Sequence, residues 1–216
     1  MGRKPQKAEL FAYMNEERVG TLTRAANGRL EFSYAQSWIA SSAGRALSLS
    51  MPLAEQVYTG DRVENYFDNL LPDSLPIRNR IQKSFRAGSN KGFDLLWHIG
   101  RDCVGALQLL PAALKADVQK IEAEPLSDTE IAATLRNYRT MPLGMSDDKG
   151  FRISVAGAQE KTALLNLSGK WHLPLGTTPT SHIVKLPIGQ IEHSGMDLSD
   201  SVENEWLCHM ILKGIN

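Results

Sequence analysis

The residues best suited to chemistry lie in the stretch Phe151-Arg-Ile-Ser-Val-Ala-Gly-Ala-Gln-Glu-Lys-Thr-Ala-Leu-Leu165. It reads as strand, tight polar turn, strand. The turn holds Gly157 between Ala156 and Ala158, followed by Gln159, Glu160 and Lys161. Small residues let a backbone come close to a ligand. Free N–H groups beside an ammonium suit phosphate oxygens. Further along, His182-Ile-Val-Lys-Leu-Pro187 sets Lys185 in an apolar strand, and Glu205 follows on an expected helix. Phosphoryl transfer needs nucleotide phosphates held still and their charge neutralised. A glycine turn can lie over the phosphates, a strand lysine can reach their oxygens, and a helix glutamate can fix that lysine. Gly157, Lys185 and Glu205 are the candidates for those roles.

Turn, strand lysine and helix glutamate, in that order, is the layout of the nucleotide-holding lobe of a protein kinase. The run Ile183-Val-Lys-Leu186 is chemically like the V-A-I-K strand of such lobes. Spacing alone leaves other readings open. There is no G-x-G-x-x-G and no G-x-x-x-x-G-K-[ST]. A lone glycine between strands also reads as a plain hairpin. Lys185 also reads as a surface lysine whose stem covers apolar neighbours, and Glu205 as a solvated flank of its helix.

The elements that must position these residues fall into two regions. The first is β-rich. Residues 8–14 and 18–23 are β-type runs joined by a turn at Asn15-Glu16-Glu17. Asn27-Gly28 is a turn signal before an alternating strand over 29–34. Residues 47–51 alternate too and end at Pro52. Helices are expected over 61–71, stopped by Pro72, then over 76–85 and 93–99, followed by a strand over 103–110. Residues 1–111 thus form one subdomain, and 112–126, alanine-rich and charged, read as a linker. Residues 127–216 form the second region. Ser127-Asp-Thr-Glu130 is a capping box that starts a helix to about Tyr138. Strands are expected over 151–155, 161–167, 171–175 and 181–186, with a hairpin at Ser168-Gly169. A last helix starts at Asp200-x-x-Glu203 and places Val202, Trp206, Met210 and Ile211 on one face.

Composition excludes several classes. Lysine plus arginine (24) balances aspartate plus glutamate (24), so whole-chain charge points neither to nucleic acid nor to an anionic membrane. A local basic run, Arg78, Arg80, Lys83, Arg86 and Lys91, reads as a solvated helix face with Ile77 and Ile81 turned inward. The two cysteines, Cys103 and Cys208, sit among apolar residues and read as core. The five histidines show no metal-ligand spacing, so no metal site is expected. No apolar run follows the charged N-terminus, and none has membrane-spanning length. A cytoplasmic location with no membrane partner is expected.

Ser154-Val-Ala-Gly-Ala-Gln-Glu-Lys-Thr-Ala163 resembles the glycine-rich-loop signature of HipA-type serine/threonine kinases, the toxins of bacterial toxin–antitoxin pairs. Tyr66-Phe-Asp-Asn-Leu-Leu-Pro-Asp73 and Ile99-Gly-Arg-Asp-Cys-Val-Gly-Ala106 resemble the family's N-terminal signatures. Pro179-Thr-Ser-His-Ile-Val-Lys-Leu-Pro-Ile-Gly189 resembles the stretch with its ATP-contacting lysine, and Asn204-Glu205 the start of its regulatory helix. The resemblance implies an α+β fold: a HipA-like N-terminal subdomain, then a kinase-like N-lobe of antiparallel sheet plus regulatory helix. The catalytic lobe would lie beyond Asn216.

It further implies that Ala156, Gly157, Ala158, Gln159, Glu160 and Lys161 form a loop over the ATP phosphates (phosphate loop 154–162). Lys185 would contact ATP and Glu205 would orient it. Ser154 matches the family's autophosphorylation serine. A phosphate there adds roughly −1.5 to −2 charges where ATP phosphates must sit. The two N-terminal signatures are read as setting subdomain packing. The complete protein would use Mg-ATP to phosphorylate a protein, an aminoacyl-tRNA synthetase by target class. A HipB-like antitoxin would neutralise it and link it to operator DNA. The two kinase aspartates, one positioning the nucleophile and one holding Mg²⁺, find no match here, so this chain alone is expected to be catalytically inactive. Two other classes stand beside this reading: a non-catalytic module that binds a kinase lobe or an antitoxin, and a generic nucleotide- or anion-binding protein.

Overall fold

Asn15 and Glu16, with φ of 48° and 70°, fold strand β1 (Ala8–Met14) back on β2 (Glu17–Arg24). Left-handed backbone at both turn positions matches the twist of the flanking strands. A wider turn, with Gly28 at φ 87°, leads from β2 to β3 (Leu30–Tyr34). The computed structural model describes residues 8–103, 105–111, 121–137, 161–175, 178–191 and 195–215. Two further strands complete the first sheet. One, β4 (Val57–Thr59) beside β3, carries no alternation signal in the sequence. The other, β5 (Leu107–Leu110), is the expected strand in shortened form and lies antiparallel to β1. The sheet order is β4-β3-β2-β1-β5.

One face of this sheet is apolar because strand side chains alternate. Leu10, Ala12, Val19, Leu22, Phe32 and Tyr34 point to a common core. Helices α2 (Asp61–Asp68), α3 (Leu75–Phe85) and α4 (Gly92–Ile99) add Val63, Phe67, Ile77, Ile81, Phe93 and Leu96 to it. A short helix α1 (Gln36–Ile39) contributes Trp38. The Phe32 ring meets Tyr34 edge-on at 5.0 Å and Phe67 at 5.5 Å. Gly20 makes room for it: a Cβ there would stand 2.6 Å from the Phe32 ring and 2.3 Å from the Ser33 carbonyl.

Residues 47–51 are a pinned turn rather than a strand. The Tyr34 hydroxyl accepts from Leu47 N–H at 2.8 Å and donates to the Met51 carbonyl at 2.6 Å. Ser48 pairs with Met51, leaving Leu49 fully exposed at the tip. The basic run is also not all solvated. The Arg78 side chain is 13% exposed and clamps the end of α2. Its two terminal nitrogens donate to both Asp68 carboxylate oxygens at 2.8 and 2.9 Å, and its Nε donates to the Pro72 carbonyl. That clamp fixes the connection that ends in Asp73.

The second sheet has the order β6-β8-β7-β9. It contains β6 (Ala123–Pro125), β7 (Lys161–Leu167), β8 (Lys170–Pro174) and β9 (His182–Lys185), all antiparallel to their neighbours. Ser168 and Gly169, both at positive φ, form the β7–β8 hairpin. The expected linker therefore ends in a strand. Thr178, 1% exposed, holds it there by hydrogen bonds to both N–H and carbonyl of Glu122. Helix α5 (Asp128–Arg136) opens with the capping box: Glu130 N–H donates to Ser127 Oγ and Ser127 N–H to Glu130 Oε2. A two-stranded sheet of β10 (Gly189–Ile191) and β11 (Met196–Leu198) precedes α6 (Ser201–Ile215). The architecture is thus mixed α and β with antiparallel sheets throughout. Among the described residues no helix is long and apolar enough to cross a membrane.

Candidate functional site

The site is built where β7 begins and β9 ends. Their register sets Lys161 opposite Lys185, Thr162 opposite Val184, Ala163 opposite Ile183 and Leu164 opposite His182. Opposed residues share a face with Cβ atoms ~5 Å apart, and like charges so placed destabilise a sheet. The β7 interior anchors this arrangement: Thr162, Ala163, Leu164 and Leu165 are all buried. Ser181 fixes the start of β9 by donating N–H to the Leu164 carbonyl at 3.0 Å, while its hydroxyl accepts from Asn166 N–H at 2.7 Å.

A carboxylate holds the Lys185 ammonium. Lys185 Nζ donates to Glu205 Oε1 at 2.7 Å and Oε2 at 2.8 Å. Glu205 lies in the first half of α6, and Ile188 N–H donates to Ser201 Oγ at 3.0 Å to tie the helix start to the segment between β9 and β10. The ion pair is half-exposed, so it contributes at most about 1 kcal/mol to folding. Its effect is to hold the Lys185 ammonium in one place. Burial pushes the Lys161 ammonium below the usual lysine range, and the Lys185 charge adds to that. Asp73 and, less strongly, Glu205 oppose the shift. Two lysines and two acids thus act on one another here.

Of the residues singled out in the sequence, Lys161, Lys185 and Glu205 come together. Ser154, Ala156, Gly157, Ala158, Gln159 and Glu160 lie outside the described residues. The sequence reading missed the face-to-face opposition of the two lysines. No local signal sets the register of β7 on β9, which are separated by β8 in the chain. Asp197 accepts from the hydroxyl and N–H of Ser199 at 2.6 and 3.0 Å, which holds its carboxyl below the usual range. Among the described residues no group of three histidines, cysteines or acids could hold a metal ion.

The helix that carries Glu205 has no buried residue. Trp206 is 64% and Leu212 65% exposed, with Leu207, Met210, Ile211 and Ile215 exposed beside them. Cys208 is exposed on the same helix, against the sequence expectation of a core cysteine. The sequence reading took apolar residues at helical spacing for a face turned to a core, yet α6 finds no such core among the described residues.

Residues 10–110 match the family model described as the HipA N-terminal domain. The chain is 32% identical over 180 residues to the putative kinase Y4mE of Sinorhizobium fredii, a match covering 80% of this chain and 41% of that protein. It is 29% identical over 154 residues to the serine/threonine-protein kinase toxin HipA of Shewanella oneidensis, covering 70% of this chain and 34% of the toxin. Among solved structures it resembles a chain in the Shewanella oneidensis complex of HipA, HipB and operator DNA. The TM-score is 0.63 at 24% identity, over 82% of this chain and 40% of that one. The chain therefore spans less than half the length of the relatives it matches. The five-stranded unit with its packed helices and the second antiparallel sheet resemble the fold of that HipA chain, and the chain belongs to the HipA family, matching its N-terminal part.

Proposed function

We propose that the second sheet holds the phosphates of Mg-ATP as the nucleotide-holding lobe of a HipA-type serine/threonine kinase. One observation carries this reading: Lys161 and Lys185 are opposed on one sheet face while Glu205 spends both its oxygens on Lys185. A pair of facing ammoniums is a poor structural device, because it costs free energy in the apo fold. It is a good device for a polyanion, which can engage both ammoniums at once. In this reading Ala156, Gly157, Ala158, Gln159, Glu160 and Lys161 form the loop over the phosphates. Lys185 contacts them and Glu205 holds Lys185 in place. Bound Mg²⁺ would neutralise phosphate charge, with its ligands in the part of the relatives' length that this chain does not match. The aspartate that positions the nucleophile belongs there too, so these 216 residues alone bind nucleotide without transferring phosphate.

The partners follow from the same reading: a HipB-like antitoxin, operator DNA reached through it, and an aminoacyl-tRNA synthetase as protein substrate, all in the cytoplasm. Ser154 is the site of autophosphorylation. Calorimetric titration of the chain with Mg-ATP tests the core of the proposal. Binding should weaken at least about tenfold in Lys185→Ala, the scale of one charge-assisted hydrogen-bonded contact. The unfolding midpoint should stay nearly unchanged. Equal affinity in wild type and variant would refute the assignment.

The uncovered apolar residues of α6 favour a second reading, a non-catalytic module that binds another protein surface. The two separate cleanly. The module reading keeps partner capture in Lys185→Ala and loses it when Trp206 and Leu212 are replaced by serine.

A further inference from the structure

We propose that Ser201, the first residue of α6, positions Glu205 against Lys185 by accepting a hydrogen bond from the chain that leaves β9. Phosphate affinity then depends on a hydroxyl that does not itself contact the nucleotide. This deepens the reading of that site given above and rests on it.

The contacts form a closed ring. Ile188 N–H donates to Ser201 Oγ at 3.0 Å, and Lys185 Nζ donates to the two Glu205 oxygens at 2.7 and 2.8 Å. On the strand side, Leu186 and Pro187 alone separate the two donors. Proline fixes its own φ, so this link is short and stiff. On the helix side, Ser201 and Glu205 stand at i and i+4, one turn apart on one face. Two contacts about 6 Å apart along the axis set both the rotation and the height of a helix against its neighbour. With either one alone, α6 could turn about the contact that remains. Apolar packing does not seat this helix among the described residues, because none of its residues is buried. The base of the ring is braced as well. β10 and β11 pair from Gly189 opposite Leu198 to Ile191 opposite Met196, which brings the chain back beside Ile188. Asp197 then holds the hydroxyl and N–H of Ser199, two residues before Ser201. The hydroxyl of Ser201 therefore joins the strand that carries the lysine to the helix that carries its carboxylate.

Ser201→Ala tests this with two readouts. With no nucleotide present, NMR relaxation of the Lys185 ammonium nitrogen in lysine-labelled protein reports how firmly Glu205 holds it. Its order parameter should fall in Ser201→Ala and recover in Ser201→Thr, which restores the hydroxyl. The backbone shifts of α6 should stay helical in both. In calorimetry, Mg-ATP should bind about threefold to tenfold more weakly to Ser201→Ala, the scale of one neutral hydrogen bond. In a Glu205→Ala background the Ser201→Ala change should cost no further affinity, because the helix then has no carboxylate to deliver. Ile188→Pro removes the same hydrogen bond from the strand side and leaves the sequence of α6 intact. It should behave like Ser201→Ala, and it decides the matter if that variant unravels the helix. An unchanged order parameter, no recovery in Ser201→Thr, Mg-ATP affinity equal to wild type, or an equal loss in the Glu205→Ala background overturns the proposal. A lowered order parameter with no Mg-ATP binding in any protein, wild type included, upholds the Ser201 brace and refutes the nucleotide reading instead.

Discussion

The two sheets of this protein solve opposite problems. The first buries a continuous apolar core between five strands and four helices, with Phe32, Phe67, Leu10, Leu22 and Leu96 all nearly inaccessible to water. In the second, the buried apolar side chains among the described residues are Ala163, Leu164, Leu165 and Pro174, and its Lys185–Glu205 ion pair lies open to solvent. The first places its polar groups as clamps, such as Arg78 on Asp68 and Tyr34 on Met51. The second places two lysines where they repel one another. Apolar burial is concentrated in one region and opposed like charge in the other.

Substitutions that break this contrast are the way to test it. The largest effect should come from Phe32→Ala. Removing a fully buried ring between Tyr34 and Phe67 should cost about 3–5 kcal/mol, read as a fall in the midpoint of chemical unfolding. A cost below ~1 kcal/mol would mean that the first sheet is not where stability resides. The next effect is smaller and of opposite sign. Glu16 occupies the second position of a tight hairpin at φ 70°, where a side chain is strained. Glu16→Gly should raise stability by about 0.5–1 kcal/mol, and a loss would show that the Glu16 side chain has a hidden role.

The smallest effect belongs to the second sheet and has a pH signature. The folded chain holds the Lys161 proton less tightly than the unfolded chain, whose lysine titrates near 10.5. Between the lowered folded value and that ordinary value the unfolded state binds more protons, so stability from this group rises with pH. At neutral pH its charge is a cost. Lys161→Ala should relieve at most ~0.5 kcal/mol at pH 7, given its partial exposure, and the advantage should fade as pH nears 10.5. Urea unfolding at both pH values gives the comparison. A variant less stable than wild type at pH 7 would mean that the lysine pair is not a source of strain.

The sequence was most legible where a feature is local. The Asn15 and Ser168-Gly169 turns need only backbone chirality, and the Ser127/Glu130 capping box needs only its own four residues. Helices α3 and α4 follow from apolar spacing within one element. Legibility fails where distant segments decide. Residues 47–51 alternate like a strand, but the Tyr34 hydroxyl takes their backbone groups and makes a turn of them. Strand β6 is too short to show a pattern and exists because β8 offers it an edge and Thr178 pins it. At the site, Lys185 and Glu205 could be named from their order in the chain. The opposition of Lys161 and Lys185 could not, because it is a matter of register between strands.

The exposed thiol on α6 gives this protein a built-in gauge. Cys208 stands open among the uncovered apolar residues, whereas Cys103 is half-buried with its thiol directed at the Gly100 carbonyl. A maleimide should therefore label the helix thiol first, with the second thiol trailing. Any surface that seats itself on α6 must slow that first step. Occupancy of this helix can thus be followed as an alkylation rate in the unmodified protein, with the slower cysteine as an internal clock.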